Sequence, residues 1–317
     1  MDAAVKPAPH GSVLAPEVVA AIEDLELSAR LVVEGMRTGG NRSPFHGYST
    51  EFRQHRPYRA GDDLKYLDWK LFGRSDRLYT RQFRDTTNVP VMLVLDSSGS
   101  MDFPAAAGSA SVTKFRYAVV MAAALAHLAS TQGNAVGLMT MEQGALRYMP
   151  ARGGRPHLRA LLAMLERLAP AARWDARLVI DRAAQLLRRR GLVAVISDFY
   201  DDEAEVTRAL RRVTQHGHDV SVLHVLSPAE LALGDSGAIE YEDIETGERR
   251  LVDAGAAAVA YAQRIESFAA GRRDDAVHSG ITYARLVTDV PPGRALRDFL
   301  QRRGGARGTE RIPGGAR

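Results

Sequence analysis

Two short apolar runs, each closing on an aspartate, constrain this chain more than any other feature. Residues 89–95 read Val-Pro-Val-Met-Leu-Val-Leu and end at Asp96, and residues 192–197 read Leu-Val-Ala-Val-Ile-Ser and end at Asp198. Unbroken runs of Val, Leu and Ile this short are the mark of strands buried on both faces. Segments of helical period follow and separate them: Lys114 to Ser130, Pro156 to Leu168, Ala176 to Arg190, Asp202 to His216 and Ala256 to Val277. Strand-like segments at Ala135 to Met141, Ala145 to Met149, Val220 to Val225 and Ile281 to Val287 complete the alternation, with a hairpin-like pair at Ala238 to Ile244 and Arg249 to Val252. Strands alternating with helices predict an α/β fold: a doubly wound, mostly parallel sheet flanked by helices. Such sheets bind ligands at the carboxyl ends of strands where the winding reverses, which directs attention to Asp96 and Asp198.

The chain divides by composition. Residues 1–15, rich in Pro, Ala and Gly, read as a disordered tail. Residues 16–77 read as an N-terminal extension packed on the main domain, with a helix from Pro16 to Met36, a loop, and a short helix at Asp63 to Leu71. The main domain is expected over residues 78–303, from a strand at Leu78 to Thr86 to a final helix opened by Pro291-Pro292. Residues 304–317 read as a flexible basic tail.

Of the 317 residues, 45% are hydrophobic and 25% charged, which excludes wholesale disorder. The absence of cysteine excludes disulfides, a thiolate nucleophile and Cys-type zinc sites. The longest clean apolar run, Ala118 to Ala126, is far short of a membrane span, and no charged start followed by an apolar stretch opens the chain. A cytoplasmic protein with no direct membrane insertion is therefore expected. The net charge of +4 reads as solvated surface, and no nucleic-acid partner is expected.

Asp96, Ser98 and Ser100 alternate in the loop after the first buried strand. One carboxylate and two hydroxyls are oxygen donors suited to a hard cation, Mg²⁺ or Mn²⁺. Asp198 would add a second carboxylate, directly or through water, if its strand lies beside the first. The plainer reading is a Ser-rich turn with an acid capping a helix. An alternative function is a metal-dependent hydrolase using Asp96 as nucleophile. Position 98 then lacks the second acid such enzymes use, and no Gly-x-Ser-x-Gly elbow is present. A phosphorylated receiver is also disfavoured, because no Lys follows the strand at Ile281 to Val287. Gly153-Gly154 between two arginines reads as a turn, and His127, His216 and His218 as surface or helix-end residues.

Tyr58-Arg-Ala-Gly-Asp-Asp-Leu-Lys-Tyr-Leu-Asp-Trp-Lys70, then Tyr79-Thr-Arg-Gln-Phe83, then Val-Pro-Val-Met-Leu-Val-Leu-Asp-Ser-Ser-Gly-Ser-Met101 resemble the bacterial family named domain of unknown function fifty-eight, whose members are similar to von Willebrand factor A domains. The resemblance implies a metal-ion-dependent adhesion site with Asp96, Ser98 and Ser100 as ligands and Asp198 as the later acid. The threonine ligand usual in such sites corresponds to Trp174, so the resemblance implies weak metal binding, with Asp175 behind the ligands as a possible compensating acid. It further implies a non-enzymatic protein-interaction module, working with a MoxR-type AAA+ ATPase in protein maturation or complex assembly, and a client supplying an Asp or Glu. Asp62, Asp63, Asp68 and Trp69, family-like residues outside the loop, read first as a helix start with a packed Trp and second as partner-docking candidates.

Overall fold

The computed structural model describes residues 24–37, 50–58, 67–85, 89–104, 113–170, 174–200, 203–233, 237–242 and 249–308. In chain order these form helix α1 (Leu25–Arg37), strand β1 (Thr50–Pro57), helix α2 (Trp69–Ser75), strands β2 (Tyr79–Asp85) and β3 (Pro90–Leu95), a 3₁₀ turn at Gly99–Asp102, and helix α3 (Lys114–Thr131). Strands β4 (Ala135–Glu142) and β5 (Ala145–Arg152), helices α4 (Arg155–Arg167) and α5 (Ala176–Leu186), strand β6 (Leu192–Ser197), helix α6 (Glu203–Gln215) and strand β7 (Asp219–Leu226) follow. A one-turn helix α7 (Pro228–Leu231), the strands β8 (Ala238–Glu242) and β9 (Arg249–Asp253), helix α8 (Ala254–His278), strand β10 (Thr282–Val287) and helix α9 (Pro292–Gly308) close the chain.

The central sheet has six strands in the order β10-β7-β6-β3-β4-β5. All neighbours are parallel except β5, which returns antiparallel to β4. This is the expected α/β architecture, and the chain winds first toward β4 and later toward β6, so the reversal falls between β3 and β6. Every residue of β3 and of β6 is buried. Alternate side chains feed opposite cores, as strand geometry requires. Val91, Leu93 and Leu95 join a cluster with α1, α3, α4 and α9, whereas Met92 and Val94 join one with α5 and α6. Helix α3 lies wholly on the first side, and its run Ala118–Ala126 is a buried core helix.

The N-terminal segment differs from its sequence reading. Tyr79–Asp85, expected to open the main domain, pairs instead with Thr50–Pro57 in a separate antiparallel ribbon. The short helix begins at Trp69 rather than Asp63, because Asp68 is its cap: Asp68 Oδ1 accepts the Leu71 amide at 3.0 Å. Asp62 and Asp63 lie outside the described residues, as do residues 1–23. Helix α1 supplies Leu25, Ala29, Val32, Val33 and Met36 to the core of the main sheet. At the other end α9 runs to Gly308, into the stretch read as tail. His218, read as surface, is buried, and its Nδ1 accepts the Gly191 amide at 3.3 Å.

Gly137 sits where the β4–β5 register shifts between Val136 and Leu138. A Cβ there would lie 2.7 Å from the Met149 carbonyl oxygen and 2.8 Å from the Ala151 nitrogen, both backbone atoms. The two strands would have to move apart. Gly137→Ala is expected to lower the unfolding free energy by about 1–3 kcal/mol, seen as a lower denaturant midpoint; an unchanged midpoint contradicts this register.

Candidate functional site

The strands β3 and β6 end side by side, and side chains take over the bonding where the ladder stops. The Asp96 amide donates to the Ile196 carbonyl at 2.9 Å. On the opposite flank, Thr140 Oγ1 donates to the Leu95 carbonyl at 2.7 Å and Ser97 Oγ to the Met141 carbonyl at 2.6 Å. After Asp198 the chain turns sharply, with Phe199 in the left-handed region at φ 57°. These bonds hold Asp96 and Asp198, each 1% exposed, at adjacent strand ends.

The Asp96 carboxylate is fixed through both oxygens. Oδ1 accepts the Ser98 amide at 2.8 Å, and Oδ2 accepts Ser197 Oγ at 2.5 Å. Each oxygen keeps a further lone pair. Ser98 Oγ and Ser100 Oγ stand 2.9 Å apart, held by the 3₁₀ turn whose Met101 is fully buried. That separation suits two adjacent donors on one Mg²⁺, since bonds of about 2.1 Å at right angles put the donors about 3.0 Å apart. Among the described residues no three of His, Cys, Asp and Glu form a metal-holding group. A cation here would instead take a mixed set, with Asp96, Ser98 and Ser100 as its oxygen donors.

Asp198 carries a partner that sequence reasoning missed. Lys114, the first residue of α3 and wholly buried, donates through Nζ to Asp198 Oδ2 at 2.7 Å and to Glu230 Oε1 at 2.5 Å. Tyr200 and Phe103 wall the ammonium, their ring centroids 5.0 and 5.8 Å from it. Glu230 Oε2 accepts the Ser227 amide at 2.8 Å, closing a capping box at the head of α7. Ser227 Oγ donates to the Pro104 carbonyl at 2.7 Å, and Tyr261 from α8 donates to the Glu230 carbonyl at 2.9 Å. The only sequence signal was a lysine at the head of a helix whose middle, Ala118–Ala126, is apolar throughout. Its acids lie 84 and 116 residues further on.

The electrostatics follow from burial. Burial, aided by the charge of Asp198, pushes the Asp96 carboxyl up to about 8 against the pull of the Ser197 and Ser98 hydrogen bonds. Burial also raises Glu230, although Lys114 draws it down. Lys114 bonds only Asp198 and Glu230, so an ionised Asp96 would have no counter-charge of its own in a desolvated site, and below about pH 8 its carboxyl keeps a proton instead. A divalent cation beside the hydroxyl pair would supply that missing counter-charge in place of the proton.

The remaining candidates lie elsewhere. Asp175 is exposed and caps α5, its Oδ1 accepting the Leu178 amide at 2.8 Å. Its own amide meets Met141 Sδ at 3.3 Å, which sets the Trp174-Asp175 step beside the end of β4. Trp174 is partly buried against the core on the α5 face. Trp69 is not packed: it is 64% exposed, with its ring edge-on to Phe72.

Residues 54–274 match the sequence model of the family described as "Protein of unknown function DUF58". Uncharacterized proteins of Mycobacterium tuberculosis and Mycobacterium bovis are 32% identical over 241 residues, covering 75% of this chain and 74% of theirs. Among solved structures, an aerotolerance-related membrane protein of Bacteroides fragilis aligns at 18% identity and TM-score 0.47, over 69% of this chain and all of that one. BatB of Bacteroides thetaiotaomicron aligns at 17% and 0.46, over 69% of this chain and 100% of that one. No helix among the described residues is long and apolar enough to cross a membrane.

The raised Asp96 carboxyl has a definite consequence for stability. Between its ordinary value of 3.8 and about 8, the folded chain keeps a proton that the unfolded chain has lost. Stability of the metal-free protein therefore falls as pH rises through that window. Asp96→Asn removes the effect. In chelator the variant should melt higher than wild type at pH 8 by at least about 2–4 °C, with the gap closing toward pH 4. Equal melting curves at pH 8 contradict it.

Proposed function

Because this chain belongs to the DUF58 family, we propose that it is a non-enzymatic, metal-dependent protein-binding module acting in the cytoplasm. Asp96, Ser98 and Ser100 hold Mg²⁺ or Mn²⁺, and Asp198 contributes directly or through water. A carboxylate on a client protein completes the site, and a MoxR-type AAA+ ATPase is the working partner in maturation or assembly. The observation that carries the reading is the 2.9 Å hydroxyl pair beside buried Asp96, an acid with no ammonium of its own, at the reversal point of the sheet. A bound divalent cation would supply residual positive charge, which an incoming Asp or Glu neutralises. The protein's own groups do the positioning: Ser197 and the Ser98 amide orient Asp96, and buried Met101 anchors the loop.

Binding is favoured over hydrolysis by how the hydroxyls are used. Ser98 Oγ faces Ser100 Oγ rather than a base, and Asp96 is clamped by hydrogen bonds at both oxygens. Neither is poised as an activated nucleophile.

Two experiments test the proposal. Affinity capture of the MoxR-type ATPase and client should succeed with Mg²⁺, fail in chelator, and fail with Asp96→Ala while the circular dichroism spectrum stays unchanged. Capture by Asp96→Ala in chelator at the wild-type level refutes the reading and moves attention to the exposed Trp69. Separately, Trp174 stands where a threonine ligand is expected, so Trp174→Thr should tighten Mg²⁺ binding by about tenfold in calorimetry. Tight wild-type binding with no such gain shows that the threonine is dispensable.

A further inference from the structure

The acid that the proposed metal site needs as its second carboxylate is already held by a cation belonging to the protein. Lys114 Nζ lies 2.7 Å from Asp198 Oδ2, with both side chains sealed from solvent. It is shared with Glu230 Oε1 at 2.5 Å. The ammonium has no route to solvent, and the aromatic faces of Tyr200 and Phe103 leave it directed at these two acids. Glu230 is anchored independently of Lys114, through the Ser227 amide on its other oxygen.

We infer that Lys114 is a positioning residue that competes with the divalent cation for Asp198 and thereby keeps the metal affinity of the site low. The inference rests on the metal-binding reading of Asp96, Ser98 and Ser100. Two cations cannot both draw fully on one carboxylate in a desolvated site without repelling each other. A metal drawing on Asp198 therefore loosens the Lys114–Asp198 pair, and the ammonium falls back on Glu230, which stays in place. Glu230 sits in the capping box of α7, and its carbonyl accepts the Tyr261 hydroxyl of α8. Low intrinsic affinity suits a site that is meant to be completed by a partner's carboxylate, because the partner then supplies what Asp198 gives to Lys114.

Calorimetry with Mg²⁺ alone, repeated with Mn²⁺, tests this on the full chain. Lys114→Met keeps the length and apolar stem of the side chain and frees Asp198, so binding should tighten at least tenfold. Asp198→Asn should weaken binding at least as much as Glu230→Gln does, because the metal loses the share of that acid which Lys114 leaves it, and Lys114→Met in the Asp198→Asn background should bring no gain. Glu230→Gln should act in the opposite sense: the ammonium is left to Asp198 alone, and binding should weaken at least tenfold. A merely structural lysine would move Lys114→Met and Glu230→Gln in the same direction, and either that result or an undiminished gain in the Asp198→Asn background overturns the inference. If Lys114→Met does not fold, the Glu230→Gln arm decides alone, with unchanged or tighter binding overturning it. Absence of binding in all five proteins overturns the metal reading itself, and binding by wild type with no gain in Lys114→Met overturns only the role of Lys114.

Discussion

The parallel pairing of β3 with β6 is the constraint on which the rest of this molecule depends. Both strands are buried over their whole length, and they are separated in sequence by the three helices α3, α4 and α5 and the strands β4 and β5. Once they pair, the sheet has a reversal point, and two acids stand at its carboxyl edge. The apolar side chains of the strands favour this strongly, since each fully buried Val, Leu or Ile contributes about 1.5–3 kcal/mol relative to exposure. The same burial makes the acids costly. Hydrophobic strands thus carry into the interior a pair of carboxylates that must then be satisfied there.

The satisfaction is uneven, and the unevenness is where the chemistry lies. Asp198 receives a buried ammonium, while Asp96 receives only hydrogen bonds from Ser197 and Ser98. Asp96 is therefore an acid whose ionised form burial penalises, and its carboxyl is pushed up to about 8. A purely structural cluster would balance its charges, because an uncompensated buried charge is among the more destabilising features a fold can hold. Under the proposed function this imbalance is the reason a cation would settle at Asp96 and the two hydroxyls, since Asp96 is the acid left without an ammonium of its own.

The insertion after β7 matters to the same edge. The one-turn helix α7 carries Glu230 back to Lys114, and α8 bonds to α7 through Tyr261. Helix α8 itself buries few residues: Ala254, Ala269, Arg272 and Ala276. Leu251 and Val259, on the hairpin and the start of that helix, remain 75% and 70% exposed. This apolar, thinly packed element rises from the carboxyl end of the sheet, the end that holds the site.

The apolar runs and their spacing sufficed to read the main sheet, its helices and the pair Asp96 and Asp198, because burial on both faces leaves a signature within six residues of chain. The loop Asp96–Ser98–Ser100 was legible for the same reason: its donors are local. Of the β1–β2 ribbon, β2 was legible as the strand read at Leu78 to Thr86, but β1, dominated by polar and charged residues, was not, and neither was the pairing of the two. Nor was the packing of Trp69, whose exposure depends on what the rest of the chain leaves uncovered. Above all, the partnership of Lys114 with Asp198 and Glu230 was decided by tertiary structure alone. A lysine is buried as an ammonium most readily where acids converge on it, and here they come from the end of β6 and from α7, just after β7, brought to the head of α3 by the winding of the sheet.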